Sequence, residues 1–189
     1  MHVFVFPDAS KWTEYTALQG LPPSAAGFAY KDELFLAAYD DRDDYVRTLC
    51  HETAHAVVSH FYPIQRWPLW LNEGFAEATA IRTMALGRGQ KIDRYLPEGA
   101  LAQIDITKVI KRARYGATSG SMTSPDSILT FYPDSERCVR TLLSKLPSGL
   151  FPKFANRVFA GNSIAASLQD TYGNACPTVE KFGELVNAP

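Results

Sequence analysis

The apolar and polar positions near the N-terminus predict a short sheet with one helix inserted in it. The segment HVFVF at residues 2–6 is a β-prone run that ends at Pro7, so it predicts a strand. The following PDASKWTEYTAL places Pro, Asp and Ser where a helix begins. FAY and ELFLAAY then flank the turn formers Lys31 and Asp32, which predicts a hairpin. The expected start is therefore strand, helix, strand, strand.

The pattern changes to helical periodicity after residue 40. Four aspartates between residues 40 and 44 favour a helix N-terminus, and a helix is predicted from about 44 to 60. Its predicted apolar face carries Val46, Leu49, Cys50, Thr53, Val57 and Val58. WLNEGFAEATAIRTMALG predicts a second helix closed by Gly87, and residues 88–127 are expected to be irregular.

Four further helices are predicted from Pro133 onward. Their segments are DSERCVRTLLSKL, PKFANRVFA, SIAASLQDTY and TVEKFGELV, separated by Gly, Pro or Asn. A small mixed N-terminal sheet followed by a mostly helical half gives the class α+β.

Composition limits the number of domains and the classes of partner that are expected, but it does not specify a function. A chain of 189 residues that is 46% hydrophobic supports one core, and one domain over 1–189 is expected. The net charge of -1, with both signs mixed, argues against a nucleic-acid partner. No apolar run approaches the roughly 20 residues of a membrane span, and no signal-peptide pattern opens the chain. We therefore expect a soluble protein whose compartment the sequence leaves open. Cys50, Cys138 and Cys176 lack the spacing of a disulfide framework or a sulfur zinc site.

The segment LCHETAHAVV carries the candidate chemistry. His51 and His55 lie one turn apart on one helix face, so both imidazoles can reach a single ion, and the spacing suits zinc. Glu52 is displaced by about 100° and can reach a water at an open coordination position, as a general base must. The alternative is an amphipathic helix with two partly buried histidines.

A third ligand is available on the second predicted helix. Glu73 in WLNEGFAEA would complete the three protein ligands typical of a catalytic zinc site. Glu77 lies one turn further, where it can accept the other ring N–H of a ligating histidine. The alternative for both glutamates is a solvated helix face.

Together, HETAH and WLNEGFAE resemble the gluzincin branch of zinc metallopeptidases, and especially peptidase MA-like domains related to the catalytic domains of thermolysin and the zinc aminopeptidases. GFAYKDELFLAAY is placed like the edge-strand hairpin that precedes the metal helix in that family. The resemblance implies a zincin-like metallopeptidase fold with one Zn²⁺ per chain. It also implies that His51, His55 and Glu73 are zinc ligands, that Glu52 is the catalytic glutamate, and that Glu77 supports a histidine ligand.

The same resemblance assigns a role to Tyr132. In zinc aminopeptidases a tyrosine just before a late helix donates a hydrogen bond to the tetrahedral intermediate, and Tyr132 in FYPDSE stands at that place. Tyr95 and Tyr115 are other candidates, and packing at a helix start is the structural alternative. The Gly-x-Met-Glu-Asn motif of the aminopeptidases is absent from the sequence, so aminopeptidase specificity is not implied. Asp40 or Asp41 could in principle offer a carboxylate to the substrate amine.

The function implied by the resemblance is hydrolysis of peptide bonds by a metal-activated water, with Glu52 as general base. The substrate is a peptide or protein segment, and LFLAA at residues 34–38 is expected to be an edge strand that pairs with it. The alternative is a non-catalytic, zinc-containing, peptidase-like domain that binds a protein or peptide partner. His60 lies on another side of the helix and is expected to be a helix-end cation.

Overall fold

The computed structural model describes residues 1–21, 25–62, 67–89, 103–111 and 125–188, with only the backbone of 125–129. The chain is mixed α+β, mostly helical, with a small three-stranded sheet in the described residues. The Cα positions divide into two compact units. The first unit comprises Met1–Phe61 and Thr79–Tyr95, and the second comprises Tyr62–Ala78 and Leu96–Pro189. The expected single domain over 1–189 stays a prediction.

The predicted strand–helix–strand–strand start is confirmed. Its elements are β1 (His2–Val5), α1 (Ala9–Leu18), β2 (Gly27–Tyr30) and β3 (Glu33–Leu36). The strand order is β1-β3-β2, with β1 parallel and β2 antiparallel to β3. The hairpin turns at Lys31, whose φ of 54° is the left-handed conformation that a tight turn requires.

The central position of β3 corrects one prediction. LFLAA was expected to form an edge strand, but β3 is hydrogen-bonded on both sides, and among the described strands β1 and β2 form the edges. Leu34 and Leu36 are fully buried, which a central strand requires. The error arises because a strand in the middle of a sheet and one at its edge have similar local sequences, whereas their position depends on where β1 pairs.

The two faces of the sheet are covered differently. On one face, Trp12 and Tyr15 of α1 pack against Phe28 and Phe35. The Trp12 Nε1 donates to the Ala25 carbonyl at 2.7 Å, which ties α1 to the start of β2. On the other face, β2 and β3 contact α2 (Arg42–Phe61).

The predicted apolar face of helix α2 is buried only in part: Val58 is buried and Val46, Leu49, Cys50 and Thr53 are half-buried. Val57 was assigned to the core, but it is 52% exposed, whereas Glu52 and His55 are buried. The side that carries Glu52 packs against the sheet at Gly27. Sequence periodicity failed here because the buried positions of α2 include the polar residues of its HETAH segment.

Helix α3 (Leu69–Gly87) runs through the point at which the chain passes from one unit to the other. Its end is tied to the start of α2 by an ion pair between Arg88 and Asp43. In the second unit its first half packs against α5 (Pro125–Ser144) so closely that a Cβ at Gly74 would lie 2.8 Å from Val139 Cγ2 and would also collide with the Ser135 backbone. Glycine is therefore required at position 74.

The second unit contains the late helices. In chain order they are α4 (Ile106–Lys111), α5, a 3₁₀ turn at Ser148–Leu150, α6 (Phe151–Phe159), α7 (Ile164–Tyr172), a 3₁₀ turn at Gly173–Ala175 and α8 (Val179–Asn187). The predicted helices α6 to α8 are confirmed. Their core includes Phe154, Leu168 and Phe182, all fully buried. None of the helices in the described part of the chain is long and apolar enough to cross a membrane.

Two predictions in this unit are wrong. Residues 106–111 were expected to be irregular, but Asp105 caps α4 by accepting hydrogen bonds from the Thr107 and Lys108 amides. Helix α5 begins at Pro125, so Pro133 lies inside it and does not mark its start. The proline was taken for a helix start because it lacks an amide donor, but the turns before it are helical in the structure.

Candidate metal centre

The two histidines of HETAH face each other on α2. The Nε2 atoms of His51 and His55 lie 3.0 Å apart, and the ring centroids are 4.7 Å apart. Two nitrogens that each lie about 2 Å from one ion need a separation of this order. His55 is buried and His51 is half-buried. The geometry of α2 therefore places the two nitrogens at the separation that the i,i+4 spacing predicts for a shared ion.

Glu73 completes a three-residue cluster. One ligand atom from each of His51, His55 and Glu73 lies within 4.8 Å of the other two. Glu73 is only 1% exposed, so its carboxylate is not on the solvated helix face that was the alternative. Two imidazole nitrogens and one carboxylate oxygen form a donor set that zinc accepts. The predicted ligands fit a zinc ion.

Glu52 lies on the sheet side of α2. Its side chain is buried, and it passes so close to β2 that a Cβ built at Gly27 would lie 3.1 Å from the Glu52 Cγ. The Glu52 side chain therefore passes next to β2, and Glu52 adjoins His51 in the sequence. This position is compatible with the predicted general base, whose role stays a prediction.

Tyr39 is a residue of this region that the sequence did not single out. Its hydroxyl donates to the Ala26 carbonyl at 3.2 Å and accepts from the Thr48 hydroxyl at 3.2 Å. Burial raises the pKa of Tyr39, which keeps the hydroxyl protonated as a donor. The contact joins residues far apart in the sequence, so no local pattern indicates it.

Glu77 and Glu136 form a second buried acidic group in the second unit. Both are buried, and the Glu136 carboxylate accepts a hydrogen bond from Arg140 Nε at 3.0 Å. Burial raises the pKa of Glu136 and the nearby Glu77 charge adds to it, while Arg140 and Arg137 oppose the change. The sequence did not indicate Glu136, although its i,i+4 spacing from Arg140 is a recognisable pairing signal. The proposed support of a histidine by Glu77 stays a prediction.

Tyr132 does not lie just before a helix. It lies within α5, half-buried, with its ring 5.9 Å from that of Phe131 at an angle of 73°. The alternative that Tyr132 packs at a helix start is therefore also wrong, because Tyr132 lies inside α5. The role as oxyanion donor stays a prediction. The other two candidates, Tyr95 and Tyr115, lie outside the described residues.

Comparison with known proteins adds no relative. No family model matches the chain, and neither curated proteins nor solved structures give a match. The likeness to gluzincins therefore rests on HETAH and WLNEGFAE, and on the placement of the residues within them. The geometry of those residues is what any functional proposal has to use.

Proposed function

We propose that the protein is a zinc-dependent peptidase of the gluzincin type. The observation that carries this proposal is the approach of His51, His55 and Glu73 ligand atoms to within 4.8 Å of one another, around the HETAH segment. A buried carboxylate has to be compensated by a partner or a cation, and Glu73 is 1% exposed. A zinc ion would compensate its charge.

Different residues of the chain have different roles in the proposed hydrolysis. When bound, zinc supplies a Lewis acid that polarises the scissile carbonyl and lowers the pKa of water. Glu52 removes a proton from the attacking water and delivers it to the nitrogen of the leaving amine. Glu77 orients a ligating histidine through its second ring N–H. Tyr132 donates a hydrogen bond to the oxyanion in this proposal.

Strand β2 is the surface on which an extended substrate can pair. The Ala37 amide donates to the Ala26 carbonyl, so in the antiparallel register Phe28 and Tyr30 also face β3. The amides and carbonyls of Gly27 and Ala29 then point away from β3, at an edge of the sheet. A peptide paired there would run beside Glu52, which contacts Gly27. The proposed substrate is therefore an extended peptide segment.

Recognition of a free peptide amine finds little support near α2. The Asp41 carboxylate already accepts hydrogen bonds from the Asp43 and Asp44 amides at 2.6 and 3.2 Å, as the cap of α2. Asp40 is exposed. These observations favour endopeptidase over aminopeptidase activity.

The decisive experiment replaces Glu52 by Gln. Glu52→Gln keeps the shape of the side chain but cannot accept the proton, so zinc content should be unchanged and hydrolysis should fall by about 10²- to 10⁴-fold. Elemental analysis and cleavage profiling on a mixed peptide library measure the two quantities. Glu14→Gln, at an exposed site on α1, is the matched control and should retain activity. A wild-type protein that holds zinc and cleaves no peptide would favour the non-catalytic partner-binding alternative.

A further inference from the structure

Gly27 lies in a crowded position at the start of β2. A Cβ added there would lie 2.9 Å from Leu36 Cδ2, 3.0 Å from the Phe35 carbonyl oxygen and 3.1 Å from Glu52 Cγ. The distance to Leu36 Cδ2 is one that real Cβ atoms essentially never show, and at the other two distances the neighbour would have to shift by a few tenths of an ångström. The absence of a side chain at position 27 is what allows the strand to lie against the Glu52 side chain.

The start of β2 is also held in place by hydrogen bonds. The Ala26 carbonyl accepts from the Ala37 amide at 3.1 Å and from the Tyr39 hydroxyl at 3.2 Å. Tyr39 in turn accepts from Thr48 of α2 at 3.2 Å. The strand therefore cannot move away from α2 at this point without losing the Tyr39 bridge.

We propose that Gly27 is a positioning residue for Glu52: the bare strand backbone confines the Glu52 methylene groups and so fixes where the carboxylate lies. The proposal rests on the proposed function only in giving Glu52 the role of general base. A general base must stay within hydrogen-bond reach of the water it deprotonates, and a displacement of about 1 Å can lower a rate by about 10²-fold. Tyr39 assists by holding the strand against α2.

The competing explanation is that Gly27 serves packing alone, because Leu36 and Phe35 would also be disturbed by a Cβ. The two explanations differ in whether the effect of Gly27→Ala depends on the Glu52 side chain. They differ also in whether a correctly folded, zinc-loaded variant loses turnover.

A thermal unfolding cycle tests the dependence on Glu52 without any activity measurement. Gly27→Ala should lower Tm by several degrees in the wild type, and by less in a Glu52→Ala background, where Cγ is absent. Gly87→Ala is the matched control, because nothing lies within 4 Å of a Cβ at that position, and it should leave Tm nearly unchanged. Equal Tm losses from Gly27→Ala in both backgrounds would overturn the proposal.

Steady-state kinetics test the consequence for turnover. Zinc-loaded Gly27→Ala should show kcat lowered by about 10-fold or more with KM and zinc content nearly unchanged, whereas Gly87→Ala should match the wild type. A rise in KM alone, or unchanged kcat, would overturn positioning. If Gly27→Ala does not fold, Tyr39→Phe is measured in its place. Tyr39→Phe should lower kcat several-fold at constant KM, and an unchanged kcat would overturn the positioning proposal.

The two proposals fail in different ways. If wild-type protein binds zinc but cleaves no peptide, the proposed peptidase function falls, and the unfolding cycle alone decides whether Gly27 positions Glu52. If the wild type is active and Glu52→Gln is inactive, yet Gly27→Ala turns over normally, the function stands and the positioning proposal falls.

Discussion

Helices α8 and α2 show two ways in which a helix buries one face. In α8 the buried residues are Phe182, Gly183 and Val186, while Lys181 and Glu184 form an exposed ion pair. In α2 the buried residues are Glu52, Ala54, His55, Ala56 and Val58, and the apolar Val57 and Phe61 are 52% and 70% exposed. Burial follows hydrophobicity in α8 and departs from it in α2.

The difference separates residues that stabilise the fold from residues that form a candidate site. Fully burying a large apolar side chain contributes about 1.5–3 kcal/mol, and α8 uses this effect. A buried Glu or His has to be removed from water and needs a partner, so its burial contributes less to stability than that of a large apolar side chain. Such local conflict between pattern and burial is typical of functional sites. The predictions below test whether the conflict in α2 has this origin.

The largest expected effect is the complete loss of bound zinc when the buried histidine of α2 is replaced. His55→Ala should abolish stoichiometric zinc binding and remove the stability that zinc confers, about 3–4 kcal/mol at saturating metal. Elemental analysis and unfolding with and without a chelator measure both. His60→Ala is the matched control, since His60 is exposed and faces Asp32 at 4.0 Å, and it should keep zinc. Wild-type protein without zinc, if never exposed to chelator, would refute the site.

The next prediction compares the loss of an apolar side chain in α8 with the same loss in α2. Phe182→Ala in α8 should lower the free energy of unfolding by about 3–5 kcal/mol, because it empties a fully buried position. Val57→Ala in α2 should change it by no more than about 0.5 kcal/mol, although the sequence assigns Val57 to the core. Denaturant unfolding measures both. Similar losses at the two positions would mean that α2 buries Val57 after all.

The helix caps should behave alike in the two helices. Thr178 accepts from the Lys181 amide at 3.1 Å, and Asp41 accepts from the Asp43 and Asp44 amides. Thr178→Ala and Asp41→Ala should each lower the free energy of unfolding by about 1 kcal/mol. Denaturant titration at pH 7 compares them. A much larger loss for Asp41→Ala would assign the carboxylate a second role beyond the cap.

The smallest effect concerns Glu136, a buried carboxylate that is not among the proposed zinc ligands. Burial raises its pKa in the fold above the unfolded value, with Glu77 adding to the rise and Arg140 and Arg137 opposing it. The folded state then binds more protons than the unfolded state, so the stability contributed by the protonated form is lost as pH rises through the raised pKa. Glu136→Gln should remove that part of the pH dependence.

The matched variant at this position is Glu136→Ala. Gln should shift Tm at pH 7 by less than about 4 °C, whereas Ala should destabilise more, since it leaves a cavity beside Arg140. Tm measured from pH 4 to 8 separates the two. An equally steep pH dependence in Glu136→Gln would assign the titration to another group.

The fold was predictable where its signals are local. The boundaries of α7 and α8 follow from the caps Ser163 and Thr178, each of which accepts an amide hydrogen bond three residues on. The hairpin followed from two β-prone runs around Lys31 and Asp32. The early start of α5 was missed because Pro133 lies within the helix, and α4 because it is only six residues long.

The arrangement of the two histidines proposed as metal ligands was predictable for the same reason. The i,i+4 spacing of His51 and His55 places their Nε2 atoms 3.0 Å apart by helix geometry alone. Glu73 was proposed from its place on a second predicted helix, and the resemblance implied the same role. Gly27 and Tyr39 were not predictable, because their contacts join separate segments of the chain. Glu136 was missed although its i,i+4 spacing from Arg140 is a local signal.

The sequence by itself determined the order of the predicted helices and strands and the histidine pair on α2, because each depends on residues within a turn or two of one another. Only the tertiary structure decided that β3 is central, that Glu52 and His55 of α2 are buried, and that β2 can approach Glu52 at Gly27. These features depend on which surfaces meet. The free energy of packing at such contacts is larger than the local preferences that produce a periodic sequence pattern. Packing therefore determines which face of each helix and strand is buried.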